Sequence, residues 1–282
     1  MNVPSARLRT AGFSLIEMAL VLAIIGFVLG GMMLTLSAQV TQHNIDETQN
    51  RLKQARDALL GFAIANGRLP CPASAPPPAS PSSNGMESVS GGTCTNFYNG
   101  FLPAVTLGLQ PVNSAGYAVD AWGNPIRYAV VQKVAGCVNS TTGAPETPTI
   151  SPFIATSPNP TLKTYGVSCQ PNDLVICQGG PYDGYITASS CGTPPAPATD
   201  SVTNQNTVVA IVFSTGKDYA AMTSGNTDEQ INLKLAPYGS YSTFISHPPA
   251  PTGSSGGEFD DQFEWIPIGL LYGRMTAAGV LP

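Results

Sequence analysis

The stretch GFSLIE at residues 12–17 decides the fold. It opens an apolar run, Phe13–Leu36, in which Glu17 is the one charged residue. A helix of this length spans about 36 Å, which is enough to cross a hydrocarbon core of roughly 30 Å. Arg7 and Arg9 precede the run, so the start of the chain is expected to stay cytoplasmic and the remainder to be exported. The sequence therefore predicts a membrane-inserting helix.

Glu17 is the unusual residue of this run. A carboxylate at the centre of a lipid-facing helix costs roughly 2.5–3.5 kcal/mol on insertion scales, and such groups usually have a partner. Taken alone, Glu17 fits two interpretations. It is either an acid near the helix end that reaches the headgroups, or an acid with a partner inside the membrane.

The short basic leader, the GFSLIE stretch and the apolar run together resemble the signature of type IV pilins and type II secretion pseudopilins. In that family a prepilin peptidase in the membrane cleaves after the glycine, and the new N-terminal residue is commonly N-methylated. The resemblance places the cleavage after Gly12 and makes Phe13 the mature N-terminus. It implies that Glu17 of one subunit neutralises the buried α-ammonium of a neighbour. Its implied partners are the peptidase, other pilin or pseudopilin subunits and the inner-membrane assembly platform.

The composition excludes several classes of protein. Hydrophobic residues make up 43% of the 282 residues, so the chain can bury a core and is not globally disordered. The net charge is −5 and basic clusters are absent, so no nucleic-acid partner is expected. His43 and His247 are the two histidines, and neither stands in a recognisable catalytic spacing. We therefore expect no enzyme, and we expect both histidines at the surface.

The hydrophobic pattern divides the chain into four segments. They are a cytoplasmic leader over residues 1–12, a transmembrane or filament-core helix over 13–36, the amphipathic half of the same helix over 37–67, and a β-rich head over 68–282. Leu52 and Leu59 belong to an apolar stripe at helical spacing, and Asn66-Gly67 is typical of a helix stop. The resemblance to pilins implies an α+β fold class, with the long helix packed on a small antiparallel β-sheet.

Six cysteines lie in the head, and an exported head favours disulfide bonds. Cys71 and Cys94 flank a long Pro/Ser/Gly-rich loop and are the preferred pair, because one bridge would close that loop. The remaining four allow three pairings that the sequence does not rank: Cys137, Cys169, Cys177 and Cys191. The chain has no Cys-x-x-Cys pair, which argues against a zinc site.

Three segments of the head resemble those of major pseudopilins in type and in order. They are the turn DAWGNP at Asp120–Pro125, the segment STGKD at Ser214–Asp218 that follows a run of β-formers, and the segment GGEFDDQFEW at Gly256–Trp265. In major pseudopilins the last two frame a calcium-binding loop. Calcium is therefore the one ligand expected, with Asp218, Asp260 and Asp261 as its carboxylates. The alternative is that Asp260 and Asp261 form a solvated or helix-capping acid pair.

The head also departs from major pseudopilins. Insertions are expected over residues 132–206 and 219–255, and residues 266–282 are expected to add a short C-terminal helix. The head therefore resembles an enlarged pseudopilin or a minor pilin.

Two functions fit these patterns best. The first is a structural subunit of a type IV pilus or a type II secretion filament, held in the inner membrane with its head in the periplasm. After processing it would move into a pilus or pseudopilus in the periplasm or outside the cell. The second is a filament-tip adhesin or substrate-binding protein whose insertions contact a surface, a partner protein or a secreted substrate. A membrane-anchored hydrolase is the remaining alternative.

Overall fold

The structure is a computed structural model that describes residues 14–74, 84–179, 190–191, 201–217, 227–236, 238–251, 253–254 and 257–282. It combines an N-terminal helix with mostly antiparallel sheets and confirms the predicted mixture of helix and sheet. The chain divides into two compact units, Met1–Asp46 and Glu47–Pro282.

The elements of the described residues follow in chain order. The helices are α1 (Leu15–Asn66), α2 (Ala104–Leu107), α3 (Leu162–Tyr165), α4 (Thr227–Asn232) and α5 (Ile268–Ala277). The strands are β1 (Val89–Ser90), β2 (Thr93–Cys94), β3 (Gly100–Phe101), β4 (Arg127–Val130), β5 (Val134–Ala135), β6 (Gln170–Pro171), β7 (Val175–Cys177), β8 (Val208–Ser214), β9 (Thr243–Ile245) and β10 (Gln262–Pro267).

The first unit contains the N-terminal part of α1. Its apolar side chains Leu15, Ile16 and Phe27 are exposed. Within the part of the chain that the structure describes, no helix is both long enough and apolar enough to cross a membrane. The span predicted over residues 13–36 is therefore not confirmed.

In the second unit, the C-terminal part of α1 packs into the main hydrophobic core. Leu52, Ala55 and Leu59 are almost completely buried, as their shared stripe on the helix requires. The helix ends at Asn66 because Gly67 adopts a left-handed conformation with φ of 73°. The backbone N–H of Gly67 donates to the carbonyl of Ala63 at 2.8 Å, which satisfies one of the last carbonyls of the helix.

The central sheet has four strands in the order β10-β8-β4-β3, and all its neighbours are antiparallel. In its register Phe263 lies opposite Phe213 and Glu264 lies opposite Val212. Glu264 reaches Arg56 of α1, so it marks the face that the helix covers. Because side chains alternate along a strand, Phe213 and Phe263 point to the opposite face. We call that face the outer face of the sheet.

The two predicted insertions meet over this outer face. β7, from residues 132–206, pairs in parallel with β9, from residues 219–255, through the pairs Val175–Thr243, Ile176–Phe244 and Cys177–Ile245. The Phe244 ring then packs edge-on against Phe213, with ring centroids 5.7 Å apart. The insertions are therefore joined to each other and to the sheet, in a contact that no local pattern predicts.

Three disulfide bonds close loops of the head, which confirms that the chain is disulfide-bonded. They are Cys71–Cys94, Cys137–Cys169 and Cys177–Cys191. The first is the pair preferred from the sequence, and the other two select one of the three pairings left open. Both of these lie within the insertion over residues 132–206, where short strands alone would bury little apolar surface.

Candidate functional site

The turn at Asp120–Pro125 is organised by the buried carboxylate of Asp120. Its Oδ1 accepts hydrogen bonds from the backbone N–H groups of Trp122 (2.9 Å) and Asn124 (2.8 Å). Its Oδ2 accepts from the hydroxyl of Ser214 at 2.6 Å. Burial raises the pKa of Asp120, and these hydrogen bonds oppose that effect. This one side chain thus holds the turn against the end of β8.

Helix α1 also forms hydrogen bonds with the same turn. Nη1 of Arg51 donates to the carbonyls of Val119 (3.0 Å) and Asp120 (2.7 Å). The backbone N–H of Ala121 donates to the hydroxyl of Thr48 at 3.1 Å. These bonds satisfy partly buried backbone groups of the turn, so the turn is positioned by the helix as well as by the sheet.

The segment after β8 lies directly beside this turn. Nδ2 of Asn124 donates to the carbonyl of Gly216 at 2.6 Å, and the N–H of Gly216 donates to Oγ of Ser214 at 3.1 Å. Gly216 has φ of 65°, and a Cβ at this position would collide with the carboxylate of Asp260. Glycine is therefore required here for both the backbone conformation and the close approach.

Three acidic residues converge where the third segment reaches Gly216. Carboxylate oxygens of Glu229, Asp260 and Asp261 all lie within 4.8 Å of one another. Glu229 and Asp261 are buried and Asp260 is half-buried. The N–H of Lys217 donates to Oδ2 of Asp260 (3.0 Å), and the N–H of Asp260 donates to Oε1 of Glu229 (3.2 Å). We call these three residues the acidic cluster.

The remaining contacts attach the acidic cluster to α4 and β9. Nδ2 of Asn232 donates to Oδ2 of Asp261 (2.7 Å) and to the carbonyl of Ile245 (2.9 Å). Beside it, Nζ of Lys217 lies 2.6 Å from Oε1 of Glu258. The three segments singled out in the sequence therefore meet at one end of β8, with α4 added to them.

The acidic cluster contains two of the three residues of the calcium set expected from the sequence, Asp260 and Asp261. The third, Asp218, lies outside the described residues. Glu229 joins the cluster from the helix α4, within the insertion over residues 219–255. The run Thr227-Asp228-Glu229 is typical of a helix start, and nothing in it reveals a contact with residues about thirty positions later.

The donor chemistry of the acidic cluster suits a hard divalent cation. Ca²⁺ binds carboxylate and carbonyl oxygens at about 2.3–2.6 Å. It takes about six to eight such oxygens and accommodates irregular geometry. Three carboxylates supply part of that set.

The two histidines have different surroundings. His43 is exposed on α1, as expected. The expectation for His247 is wrong, because its side chain is only 17% exposed. Its Nε2 lies 3.2 Å from Oδ2 of Asp228, its Nδ1 donates to the carbonyl of Pro248 at 2.8 Å, and its ring stacks on Phe259. The bond to Asp228 raises the pKa of His247, and the nearby Glu229 adds to this effect.

At the N-terminus, Glu17 is exposed in the first turn of α1, and its backbone N–H bonds to the carbonyl of Ser14 at 3.0 Å. Gly12 and Phe13, the residues at the expected cleavage, lie outside the described residues.

Comparison with known proteins gives one match. The family model of the prokaryotic N-terminal methylation motif matches residues 7–33. No curated protein and no solved structure matches the chain. The match covers the second half of the leader, the GFSLIE stretch and most of the apolar run, and it confirms the resemblance drawn from those residues.

Proposed function

The chain carries the N-terminal methylation motif that is the signature of type IV pilins and pseudopilins, and from this premise we propose that it is a structural subunit of a type IV pilus or type II secretion filament. The match over residues 7–33 is the observation that carries the proposal. Its function is assembly, and no catalytic residue is assigned.

The proposed processing follows the chemistry of the motif. Prepilin peptidase cleaves after Gly12, and the new N-terminal residue Phe13 is methylated. Before assembly, the apolar start of α1 holds the chain in the inner membrane as a single span, with its head in the periplasm. Within the filament, the Glu17 carboxylate neutralises the α-ammonium of a neighbouring subunit, because an unpaired charge in an apolar interior is expensive. The filament then lies in the periplasm or outside the cell.

Features of the head support a pilin-like arrangement. The second half of α1 packs against an antiparallel sheet, and Thr48 and Arg51 of the helix hold the turn at Asp120–Pro125. A helix fixed in this way can transmit its position in a filament to the head.

The experiment compares Glu17→Ala and Glu17→Gln with the wild-type chain. Both variants are expected to be inserted and cleaved normally but to enter filaments poorly, since neither carries a charge at this position. A Glu17→Asp variant is the matched control and should retain part of the assembly. Normal filament incorporation of Glu17→Ala would contradict the proposed role.

A second function, a binding protein at a filament tip, is favoured by the outer face. There β7 and β9 join two insertions, and the bridges Cys137–Cys169 and Cys177–Cys191 brace them. Two insertions of this size, held by disulfide bonds, are larger than a main filament subunit needs. Quantifying the chain in purified filaments separates the two functions, because a main subunit dominates by mass and a tip protein is present in trace amounts.

We also propose that the acidic cluster binds calcium, with Glu229, Asp260 and Asp261 supplying carboxylates. Calcium added at about ten times its dissociation constant or more should then raise the melting temperature, and a chelator should lower it. Glu229→Gln should remove most of this difference. Glu146→Gln, which changes an acid elsewhere in the head, should leave the calcium response intact. Equal melting temperatures with calcium and with chelator would contradict the calcium proposal.

A further inference from the structure

A groove lies along the edge of β10. It has a volume of about 380 Å³ and is lined by Arg56, Phe263, Glu264, Trp265, Pro267 and Leu270. Among the described strands, β10 is the last of its sheet and pairs on one side only, with β8. A strand edge of this kind can accept another chain.

One wall of the groove is a partly exposed ion-pair network. Nη1 of Arg56 lies 2.9 Å from Oε2 of Glu264, and Nε2 of Gln49 donates to Oε1 of Glu264 at 2.8 Å. The side chains of Arg56 and Glu264 are 29% and 15% exposed. Covering them would remove water from a pair that is already well oriented, which strengthens its electrostatic attraction.

The other wall is apolar. Trp265, Pro267 and Leu270 are all partly exposed there. Tryptophan and arginine are the residue types that most often dominate binding energy at interfaces. The groove therefore combines aromatic and aliphatic side chains with an Arg–Glu pair, which suits contact with protein.

We propose that this groove is filled by a second copy of this chain in the assembled filament. The proposal rests on the proposed function, because proteins with the methylation motif assemble with other pilins. A stable interface with a freely diffusing partner buries about 1,200–2,000 Å². Six lining residues supply only part of this area, which is enough for a neighbour already held through α1.

Charge complementarity supports the same occupant. Lys53 and Asp57 lie one turn apart on α1, next to Arg56, and both are exposed. None of the ion pairs found among the described residues involves Lys53. The two residues therefore place opposite charges one turn apart beside the groove. A copy displaced along α1 would bring its Lys53 to Asp57 of its neighbour. The contact is head-to-tail, so it can repeat along a filament.

The first arm of the test uses the full-length chain with a photo-crosslinking amino acid in place of Leu270, in cells that assemble the filament. Irradiation is expected to give an adduct of twice the mass of the mature chain. An adduct with a different protein, or no adduct, would overturn the proposal.

The second arm exchanges charges. Lys53→Asp and Asp57→Lys alone should each reduce filament yield about tenfold, which corresponds to roughly 1.4 kcal/mol per contact. The double variant should restore much of that yield because the attraction is re-created in reverse. Unchanged yield in both single variants, or no recovery in the double variant, would overturn the proposal. Equal melting temperatures of all four proteins would show that folding is unaffected.

Processing distinguishes this proposal from the one on which it rests. If the wild-type chain keeps Met1 and enters no filament, the proposed function fails. If it begins at Phe13 and enters filaments while Leu270 gives no self-adduct, only the assignment of the groove fails.

Discussion

The carboxylate of Asp120 lies 2.6 Å from the hydroxyl of Ser214, and both residues are buried. They are separated by 94 positions in the chain, so this hydrogen bond joins two segments that are far apart in sequence. Gly216, two residues after Ser214, lies close to the carboxylate of Asp260, so the segment at Gly256–Trp265 meets the other two. The head is thus organised around a polar junction at the end of β8.

Asp120→Ala is expected to lower the free energy of unfolding by about 2–3 kcal/mol. It leaves the N–H groups of Trp122 and Asn124 without their acceptor, and an unsatisfied buried group costs about 1–3 kcal/mol. Chemical denaturation of the purified chain measures the change. Asp57→Ala is the matched control because Asp57 is 67% exposed, and it should change stability by less than about 0.5 kcal/mol. Equal effects of the two substitutions would contradict the role of Asp120.

Gly216→Ala is expected to destabilise the head more than Gly123→Ala does. Both glycines have positive φ, 65° and 89°, so both variants carry the cost of a left-handed alanine of about 1 kcal/mol. Only the Cβ at Gly216 would also collide with Asp260, whereas nothing lies within 4 Å of the Cβ at Gly123. The difference in melting temperature between the two variants measures the effect of the steric clash with Asp260. A smaller effect at Gly216 than at Gly123 would contradict the observed packing.

Lys234→Met is expected to stabilise the protein at neutral pH. Lys234 is only 3% exposed, and burial lowers its pKa well below the usual range, with Arg127 lowering it further. Nζ donates to the carbonyl of Thr243 and lies 3.4 Å from the centre of the Phe244 ring. Removing the buried amine should raise the free energy of unfolding by about 1–3 kcal/mol.

The pH dependence of that gain has a definite sign. Since the pKa of Lys234 is lower in the folded state, the unfolded state binds the proton more tightly. The destabilisation caused by burying the Lys234 amine is greatest below its pKa in the folded state. It disappears as the pH rises toward about 10.4, the pKa of lysine in the unfolded state. The difference in stability between Lys234→Met and wild type should therefore shrink as the pH rises. A difference that stays constant with pH would contradict a buried amine with a lowered pKa.

His247 should give the opposite pH dependence. The bond to Asp228 raises the pKa of His247 in the folded state, so the charged form stabilises the fold. This contribution is fully present below about pH 6.5, the unfolded value, and is lost as the pH rises through the raised folded pKa. His247→Asn should flatten the stability profile over that window, as measured by denaturation at several pH values. The exposed His43 provides the control, since His43→Asn should leave the profile unchanged.

Local sequence patterns anticipated those parts of the fold that depend on local chemistry. The helix stop before Gly67, the strand before Ser214 and the pairing of Cys71 with Cys94 all follow from residues near one another in the chain or from one loop closure. The convergence of Asp260 and Asp261 was likewise expected, because they are adjacent.

Contacts between distant segments were not predictable in the same way. Glu229 joins the acidic cluster only because α4 packs beside the end of β8, and the parallel pairing of β7 with β9 joins two separate insertions. The burial of His247 against Phe259 depends on the same packing. No periodicity or turn motif encodes which of two loops will meet, since that choice is decided by the burial of apolar surface in three dimensions.

We propose that the chain is a processed filament subunit. Intact-mass and N-terminal peptide mass spectrometry of the chain recovered from filaments tests it most directly. The mature chain should lack residues 1–12 and begin at N-methylated Phe13, as the motif over residues 7–33 implies. An intact Met1 in assembled material would contradict it.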